Sequence, residues 1–334
     1  MAYRAALIGC GKIGSEFADN PLMKGDVYTH AEAYMRCPDT ELVAVCDSDL
    51  ARLARCGERW NIAARHTSAV ALIETERPDI VSVCTPDTTH YEVVRAILTR
   101  NHHVKAVLCE KPLATSPEQA QELIRLAGER GAVLAVDYTR RYANNLRALQ
   151  MFLAAENLGT IQAVSGWYTK GTLHNGSHWF DLLRFLVGEV DWVMGINVLG
   201  EPGPDPTLDV NLGLKNGALA TLRACDARRF TVFEMDIMGT LGRAQLLESC
   251  YRIELAFSAP SSHYSGYFGL LPVFHDFGDH RNPLLHVVED LVVALRKGTP
   301  PACSGEDGLA AVQISWAAHE SAQIGRRVYI ADGN

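Results

Sequence analysis

Two sets of residues in this chain have the types and spacing to do chemistry: Gly9-x-Gly11-x-x-Gly14 near its start, and Glu110-Lys111-Pro112 closing the apolar run Val104-Lys105-Ala106-Val107-Leu108-Cys109. The glycines follow a short apolar strand expected over residues 3–8, and a helix is expected to continue through Ser15, Glu16 and Phe17. In that setting the first glycine permits a tight turn, the second lets a pyrophosphate approach the backbone, and the third lets helix and strand pack closely. Helix N-terminal amides then face the phosphates, with Lys12 and Ile13 in the turn. Ligands of an open α/β sheet lie beyond the carboxyl ends of its strands, so a lysine closing another strand of that sheet points into the same crevice. Pro112 lacks a backbone donor and fixes φ, so the strand stops at Lys111. Alone, Glu-Lys-Pro reads equally as a surface lysine before a turn. Beside a dinucleotide loop, it reads as a lysine delivered to a bound nicotinamide.

The elements that would position these residues follow from short apolar runs. A strand over 41–46 ends in Asp47, whose carboxylate would accept hydrogen bonds from the adenosine ribose hydroxyls and repel a 2′-phosphate. This favours NAD over NADP, with Arg52 nearby leaving NADP open; the plainer role for Asp47 is a helix N-cap. Residues 20–29, with Pro21 and Gly25, read as an insertion that carries Asp47 farther from the glycines than the usual spacing of about 20 residues. Further strands are expected over 80–84, 104–109 and 132–136 with helices between them, which means a parallel sheet covered on both faces. The first of these ends in Thr85-Pro86-x-x-x-His90. Thr85 and Pro86 would line the nicotinamide side, and His90 either joins the cofactor site or caps the next helix.

The chain has 334 residues, enough for two domains, and a formal charge of −8 that leaves no general basic face for nucleic acid or anionic membrane. No apolar run reaches the roughly 18 residues of a membrane span, and residues 4–14 read directly as strand and loop without a signal-peptide layout, so a cytoplasmic protein is expected. Nine scattered cysteines without a Cys-x-x-Cys pair indicate neither a zinc ribbon nor a disulfide framework, and are expected to be small buried apolar residues.

After residue 137 the pattern changes, and the division expected is 1–137 for the dinucleotide domain and 138–334 for the substrate side. A helix over 144–155 and strands over 162–168, 192–198, 208–214, 218–224, 233–238, 243–248 and 252–257 follow. Asn216-Gly217 marks a hairpin, so this second sheet is largely antiparallel. Residues 260–282, rich in Tyr, His, Gly and Phe, read as a long loop over the site or at a subunit contact. His102-His103 reads as solvated loop.

The ordered set of Gly9-x-Gly11-x-x-Gly14, strand-end Asp47, Thr85-Pro86-x-x-x-His90 and Glu110-Lys111-Pro112 resembles the glucose-fructose oxidoreductase, inositol dehydrogenase and MocA (Gfo/Idh/MocA) family along nearly the whole chain. The resemblance implies an α/β Rossmann domain with a parallel sheet, followed by an α+β domain with a large, open, mostly antiparallel sheet. It also implies pyridine-nucleotide oxidation or reduction of sugars and polyols, and a cis peptide between Lys111 and Pro112. A homodimer or homotetramer through the second-domain sheet is expected. In the family a helix bearing Asp-x-x-x-His-x-x-Asp brings its histidine to the lysine across the substrate. In the segment Lys170-Gly171-Thr172-Leu173-His174-Asn175-Gly176-Ser177-His178-Trp179-Phe180-Asp181, His178 matches that histidine and Asp181 the following acid, while His174 replaces the first aspartate.

Hydride transfer from a secondary alcohol needs a base for the hydroxyl proton, and an imidazole with an ordinary pKa of about 6.5 suits that task. A nearby ammonium stabilises developing alkoxide charge. His178 is therefore read as acid/base and Lys111 as its electrostatic partner, with exchanged roles as the alternative. Lys170, His174, Asn175 and Arg141 are read as substrate contacts, with an ion pair to a surface acid as the alternative for Arg141. Asp181 either orients the His178 ring or is an exposed helix acid. The spacing of His174, His178 and Asp181 also suits a metal-binding helix face, but no further ligand accompanies it and no metal is expected. The expected function is an NAD(H)-dependent oxidoreductase acting on a secondary hydroxyl of a sugar, sugar derivative (nucleotide-linked or phosphorylated included) or polyol. A redox-neutral NAD-using sugar epimerase or eliminase, and a non-catalytic dinucleotide-sensing regulator, are the alternatives on the same fold.

Overall fold

The computed structural model describes residues 2–23, 25–100 and 103–330; His102 lies outside them. Internal contacts divide the chain into two compact units, Met1–Ala143 with Arg281–Val312, and Asn144–His280 with Gln313–Asn334. The first unit thus takes back a segment that the sequence division at 137/138 assigns to the second. The reason is apolar: Leu284, Val287, Val288 and Leu291, at helical spacing, are buried in the core of the first unit.

In the first unit, β1 (Tyr3–Ile8), α1 (His30–Arg36), β2 (Thr40–Cys46), α2 (Leu50–Arg59), β3 (Ala64–His66), α3 (Ala69–Glu76), β4 (Ile80–Val83), α4 (His90–Arg100), β5 (Ala106–Glu110), α5 (Pro117–Arg130) and β6 (Val133–Asp137) alternate. The strands pair in parallel in the order β3-β2-β1-β4-β5-β6. Every residue of β4 and β5 is buried, as strands covered on both faces require. β3 escapes the sequence reading because its three residues, Ala64, Arg65 and His66, form no apolar run. Strand order reverses at β1 and β4, and a crevice opens beyond the carboxyl ends of strands at such a point. Gly9, Thr85 and Lys111 each follow one of these ends.

The second unit begins with α6 (Asn144–Ala154), β7 (Ile161–Tyr168) and α7 (Ser177–Leu186). The strands β8 (Val190–Ile196), β9 (Asp209–Leu214), β10 (Leu219–Ala224), β11 (Phe233–Gly239), β12 (Gly242–Leu247), β13 (Arg252–Pro260) and β14 (Phe268–Val273) follow. After α8 (Pro283–Lys297), which belongs to the first unit, come α9 (Gly305–Ile324), whose residues up to Val312 also belong to the first unit, and β15 (Val328–Tyr329). One nine-stranded sheet runs β14-β13-β12-β11-β7-β10-β9-β8-β15 among the described residues. It is antiparallel apart from the β7 and β10 pair. The hairpin between β9 and β10 turns at Asn216-Gly217, with Gly217 at φ +88°. The expectation of a structureless loop over 260–282 is corrected by β14, which pairs with β13 while leaving its side chains mostly exposed. Its residues are apolar, with Phe268, Leu270, Leu271 and Val273 exposed, and Gly269 and Pro272 interrupt the run, so it does not read as a core strand.

Cys225 is half-buried and the other eight cysteines are buried. Among the described residues no helix is long and apolar enough to cross a membrane.

Candidate active site

At the end of β1, Gly9 adopts φ +96°, and a Cβ there would lie 2.4 Å from the Cys84 carbonyl oxygen. A Cβ on Gly14 would lie 2.1 Å from the Gly9 carbonyl oxygen, whereas one on Gly11 would meet nothing within 4 Å. The outer glycines therefore serve packing, and the middle one leaves open backbone for an approaching phosphate. Across the sheet, the Thr85 hydroxyl is buried without a hydrogen-bond partner among the described residues. Buried polar atoms are normally satisfied, so this one suits a polar group of a bound molecule. Open backbone at Gly11 and the orphaned Thr85 oxygen fit a dinucleotide along this edge; Lys12 and Pro86 are exposed there, and Ile13 is half-buried.

The helix expected through Ser15 is not formed. Ser15 and Glu16 donate to the Gly11 carbonyl at 2.8 and 3.0 Å, a short 3₁₀ turn covers Glu16–Asp19, and α1 begins only at His30. Trp60 Nε1 holds the Ser15 hydroxyl at 2.9 Å and Arg59 the Ser15 carbonyl at 3.0 Å, so that carbonyl is taken up by a side chain. The insertion postpones the helix, and α1 then docks back on the loop, with His30 N donating to Ile13 O at 3.1 Å and Ala31 N to Gly14 O at 3.0 Å.

Asp47 is buried, and its carboxylate accepts from the Cys10 amide at 2.8 Å and the Asp49 amide at 2.8 Å. It ties the glycine loop to the end of β2 and keeps unused lone pairs for a ribose. The N-cap of α2 is Asp49, which accepts from Ala51 and Arg52. Arg52 stands 3.8 Å from Asp47 and 3.5 Å from Glu16.

His90 is fully buried, and its ring nitrogens lie 2.7 Å from the Pro112 carbonyl and 2.7 Å from the Thr85 carbonyl. It joins two strand ends and offers no free nitrogen to a cofactor, which departs from its reading as a cofactor ligand. Lys111-Pro112 is cis. Burial pushes the Lys111 ammonium below its ordinary pKa, against the pull of Glu110 and Asp87. Glu110 also departs from its cofactor reading: it is buried, with Oε1 3.1 Å from His30 Nε2 and Oε2 accepting from the Lys111 amide at 3.2 Å. Arg141 is buried too, and donates to Asp307 at 3.0 Å and the Ala302 carbonyl at 3.2 Å. An internal ion pair thus occupies the guanidinium that was read as a substrate contact.

In the second unit, Lys170 is exposed and left-handed at φ +70°, and Gly171 follows at φ +84°. One wide π turn covers Gly171–Gly176 before α7 begins at Ser177. His174 is exposed in that turn and His178 half-buried on α7, so the regular i, i+4 helix face assumed from their spacing does not exist. Phe233 stands edge-on to His178 with ring centroids 6.4 Å apart. Asp181 is buried, which removes the exposed-acid reading. Asn175 is half-buried and donates to the Thr169 carbonyl at 2.8 Å.

Asp205, which the sequence reading passed over, holds this turn. Its carboxylate accepts from the Leu173 amide at 2.7 Å and the His174 amide at 2.9 Å, and His319 Nε2 lies 3.3 Å away. A Cβ on Gly171 would come within 2.2 Å of Asp205 Oδ2. The signal that could have found it is the stretch Pro202-Gly203-Pro204-Asp205-Pro206, a rigid loop presenting one acid.

Two descriptions of one family match the chain: "Oxidoreductase family, NAD-binding Rossmann fold" over residues 3–138, and "GFO/IDH/MocA C-terminal domain" over 118–245. The chain is 32% identical to D-glucoside 3-dehydrogenase of Escherichia coli over 58% of this chain and 54% of that one, so this match spans about half the relative's length. It is 25% identical to myo-inositol 2-dehydrogenase of Thermotoga maritima, over 98% of this chain and 99% of that one. Its fold is similar to that of an oxidoreductase from Agrobacterium radiobacter solved with NAD+, L-tartaric acid and magnesium, with a TM-score of 0.78 at 22% identity over 99% of both chains. With the glycine loop, the parallel sheet and the mixed nine-stranded sheet in place, the chain belongs to the Gfo/Idh/MocA family of NAD-binding oxidoreductases.

Proposed function

We propose that this protein oxidises a secondary hydroxyl of a sugar or polyol with NAD+, or reduces the matching ketone with NADH. The observation that carries the reading is Lys111: it closes β5 in the sheet whose β1 end carries the glycine loop, and burial holds its pKa below the ordinary lysine value. The relatives named for glucoside and inositol oxidation supply the substrate class. NAD+ supplies the hydride acceptor.

The remaining chemistry falls to the chain. Lys111 donates a hydrogen bond to the reacting oxygen and steadies the alkoxide charge as the C–H bond breaks. His178 removes the hydroxyl proton and returns it in the reverse direction. Lys170, His174 and Asn175 are the contacts assigned to the other hydroxyls. Asp47, already anchored by two amides, presents a fixed negative charge that disfavours a 2′-phosphate, hence NAD over NADP.

Turnover measured with NAD+ across a panel of sugars, sugar derivatives and inositols tests the reading. Lys111→Ala and His178→Ala should each lower kcat by about 10² or more while NAD+ affinity stays nearly constant, because both groups act on the substrate oxygen. Undiminished turnover in either variant removes that residue from the mechanism.

A further inference from the structure

Behind Lys111 runs a buried hydrogen-bonded chain that the proposed reaction does not use. The Tyr34 hydroxyl lies 2.7 Å from Ser82 Oγ, which lies 2.9 Å from His30 Nδ1. The other nitrogen of the ring, Nε2, stands 3.1 Å from Glu110 Oε1 and 3.2 Å from Asp137 Oδ2. Glu110 Oε2 completes the path by accepting from the Lys111 amide at 3.2 Å. Tyr34, Ser82 and His30 are fully buried, and Asp137 and Glu110 are buried.

Glu110 and Asp137 are register partners on the paired strands β5 and β6, two acids side by side in the interior. Like charges so placed repel, and a buried charge is costly unless paired. The His30 imidazole resolves the conflict by facing both carboxylates with one nitrogen while Ser82 fixes its ring through the other. Burial alone would lower the imidazole pKa, yet Cys84, Asp137 and Glu110 raise it well above the ordinary value. Burial and the Glu110 charge push Asp137 up to about 7.

We propose that His30 is a positioning residue for Lys111: anchored by Ser82, its imidazole holds the Glu110 carboxylate and, through it, the Lys111 backbone at the end of β5. The catalytic consequence rests on the reading of Lys111 given above; the hold on its backbone does not. Without the imidazole, the two acids rearrange or bind an extra proton, and the Lys111 amide loses a fixed acceptor.

The test combines kinetics with amide hydrogen exchange at Lys111, read in the full-length protein by NMR or fragmentation mass spectrometry. In His30→Gln the Lys111 amide should exchange about tenfold faster or more. With NAD+ and whichever panel sugar or polyol is oxidised, kcat should fall by about tenfold or more while KM and the NAD+ dissociation constant change less than about threefold. Faster exchange with unchanged kcat keeps His30 as the brace and overturns the role given to Lys111. Unchanged exchange overturns the brace, whatever happens to kcat. If His30→Gln does not fold, Ser82→Ala leaves all three titratable groups in place and should raise Lys111 exchange less, in the same direction; no rise there overturns the proposal.

Discussion

At the end of β5 the segment from Glu110 to Pro112 is gripped from inside the first unit, by His30 on the Glu110 carboxylate and His90 on the Pro112 carbonyl. The turn over Gly171–Gly176 in the second unit is held differently: the half-buried carboxylate of Asp205 accepts two backbone amides, and the side chains at His174 and Lys170 are exposed. Buried bonds lie in low dielectric, where an unpaired partner is costly, while water can replace a bond lost at a half-exposed carboxylate. The end of β5 is therefore built to be fixed and the turn of the second unit to accept change; on the function proposed above, the first is the cofactor side and the second the substrate side. That division suits a family described as NAD-binding whose relatives carry different substrate names.

The largest expected effect contrasts two glycines. Gly9→Ala forces an unfavourable φ and drives a Cβ against the backbone carbonyl of Cys84, which cannot move without shifting β4. Gly171→Ala meets a similar φ, but its Cβ strikes mainly the Asp205 carboxylate, a side chain that can shift at the cost of its bonds to the Leu173 and His174 amides. Gly9→Ala should cost at least about 2 kcal/mol more stability than Gly171→Ala and abolish NAD+ binding. Gly171→Ala should retain NAD+ binding and raise the substrate KM. Denaturant melts and NAD+ titration of both variants decide it; equal losses would break the contrast between the two regions.

The parallel strands other than β3, and the glycine loop, were legible because each is local, an apolar run ending in Gly, Asp or a residue before Pro. Apart from β14 and β15, the antiparallel strands of the second unit were legible by close spacing and one turn dipeptide. What escaped lies in long-range partnerships. His30 meets Glu110 across 80 positions, and Arg141, read as substrate-facing, finds Asp307 across 166. The insertion at 20–29 hid the start of α1, and with it the position of His30. The helix assumed around His174 failed for a local reason: the left-handed Lys170 and Gly171 lead into a wide turn, which a spacing of four cannot distinguish from an α-helical one.

A middle-sized effect follows from the buried acids and imidazole of the first unit; among the described residues the second unit has no such cluster. The His30 pKa is raised on folding, so its contribution to stability is present below about pH 6.5 and is lost as pH climbs through the folded value. Asp137, raised to about 7, likewise holds a proton that the unfolded chain has released, and this contribution fades as pH approaches that value. Glu110 is lowered by its hydrogen bond to His30, against burial, so its contribution is lost only at acid pH. Stability should therefore fall as pH rises from about 4 toward 7 through Asp137 and again above about pH 6.5 through His30, by up to about 1.4 kcal/mol per pH unit for each proton released. Melting temperatures across that range check it, and a flat or rising profile would contradict the protonated imidazole. Gly171→Ala should leave the slope intact, because the titrating groups all lie in the first unit.

The smallest effect belongs to Asp205. Replacing it by Ala removes two charge-assisted acceptors from the Leu173 and His174 amides, but both lie near solvent and water can take its place, so the net loss should be about 1 kcal/mol. Because the turn carries the contacts assigned to the substrate and none assigned to the dinucleotide, the loss should appear as a rise in substrate KM of about three- to tenfold, with NAD+ affinity unchanged. Asp205→Asn keeps one acceptor oxygen and should fall between the parent and the alanine variant. Steady-state kinetics on both variants with the preferred sugar or polyol provide the measurement. A fall in NAD+ affinity equal to the rise in KM would mean that the turn serves the cofactor as well, and the contrast between a fixed cofactor side and an adaptable substrate side would have to be abandoned.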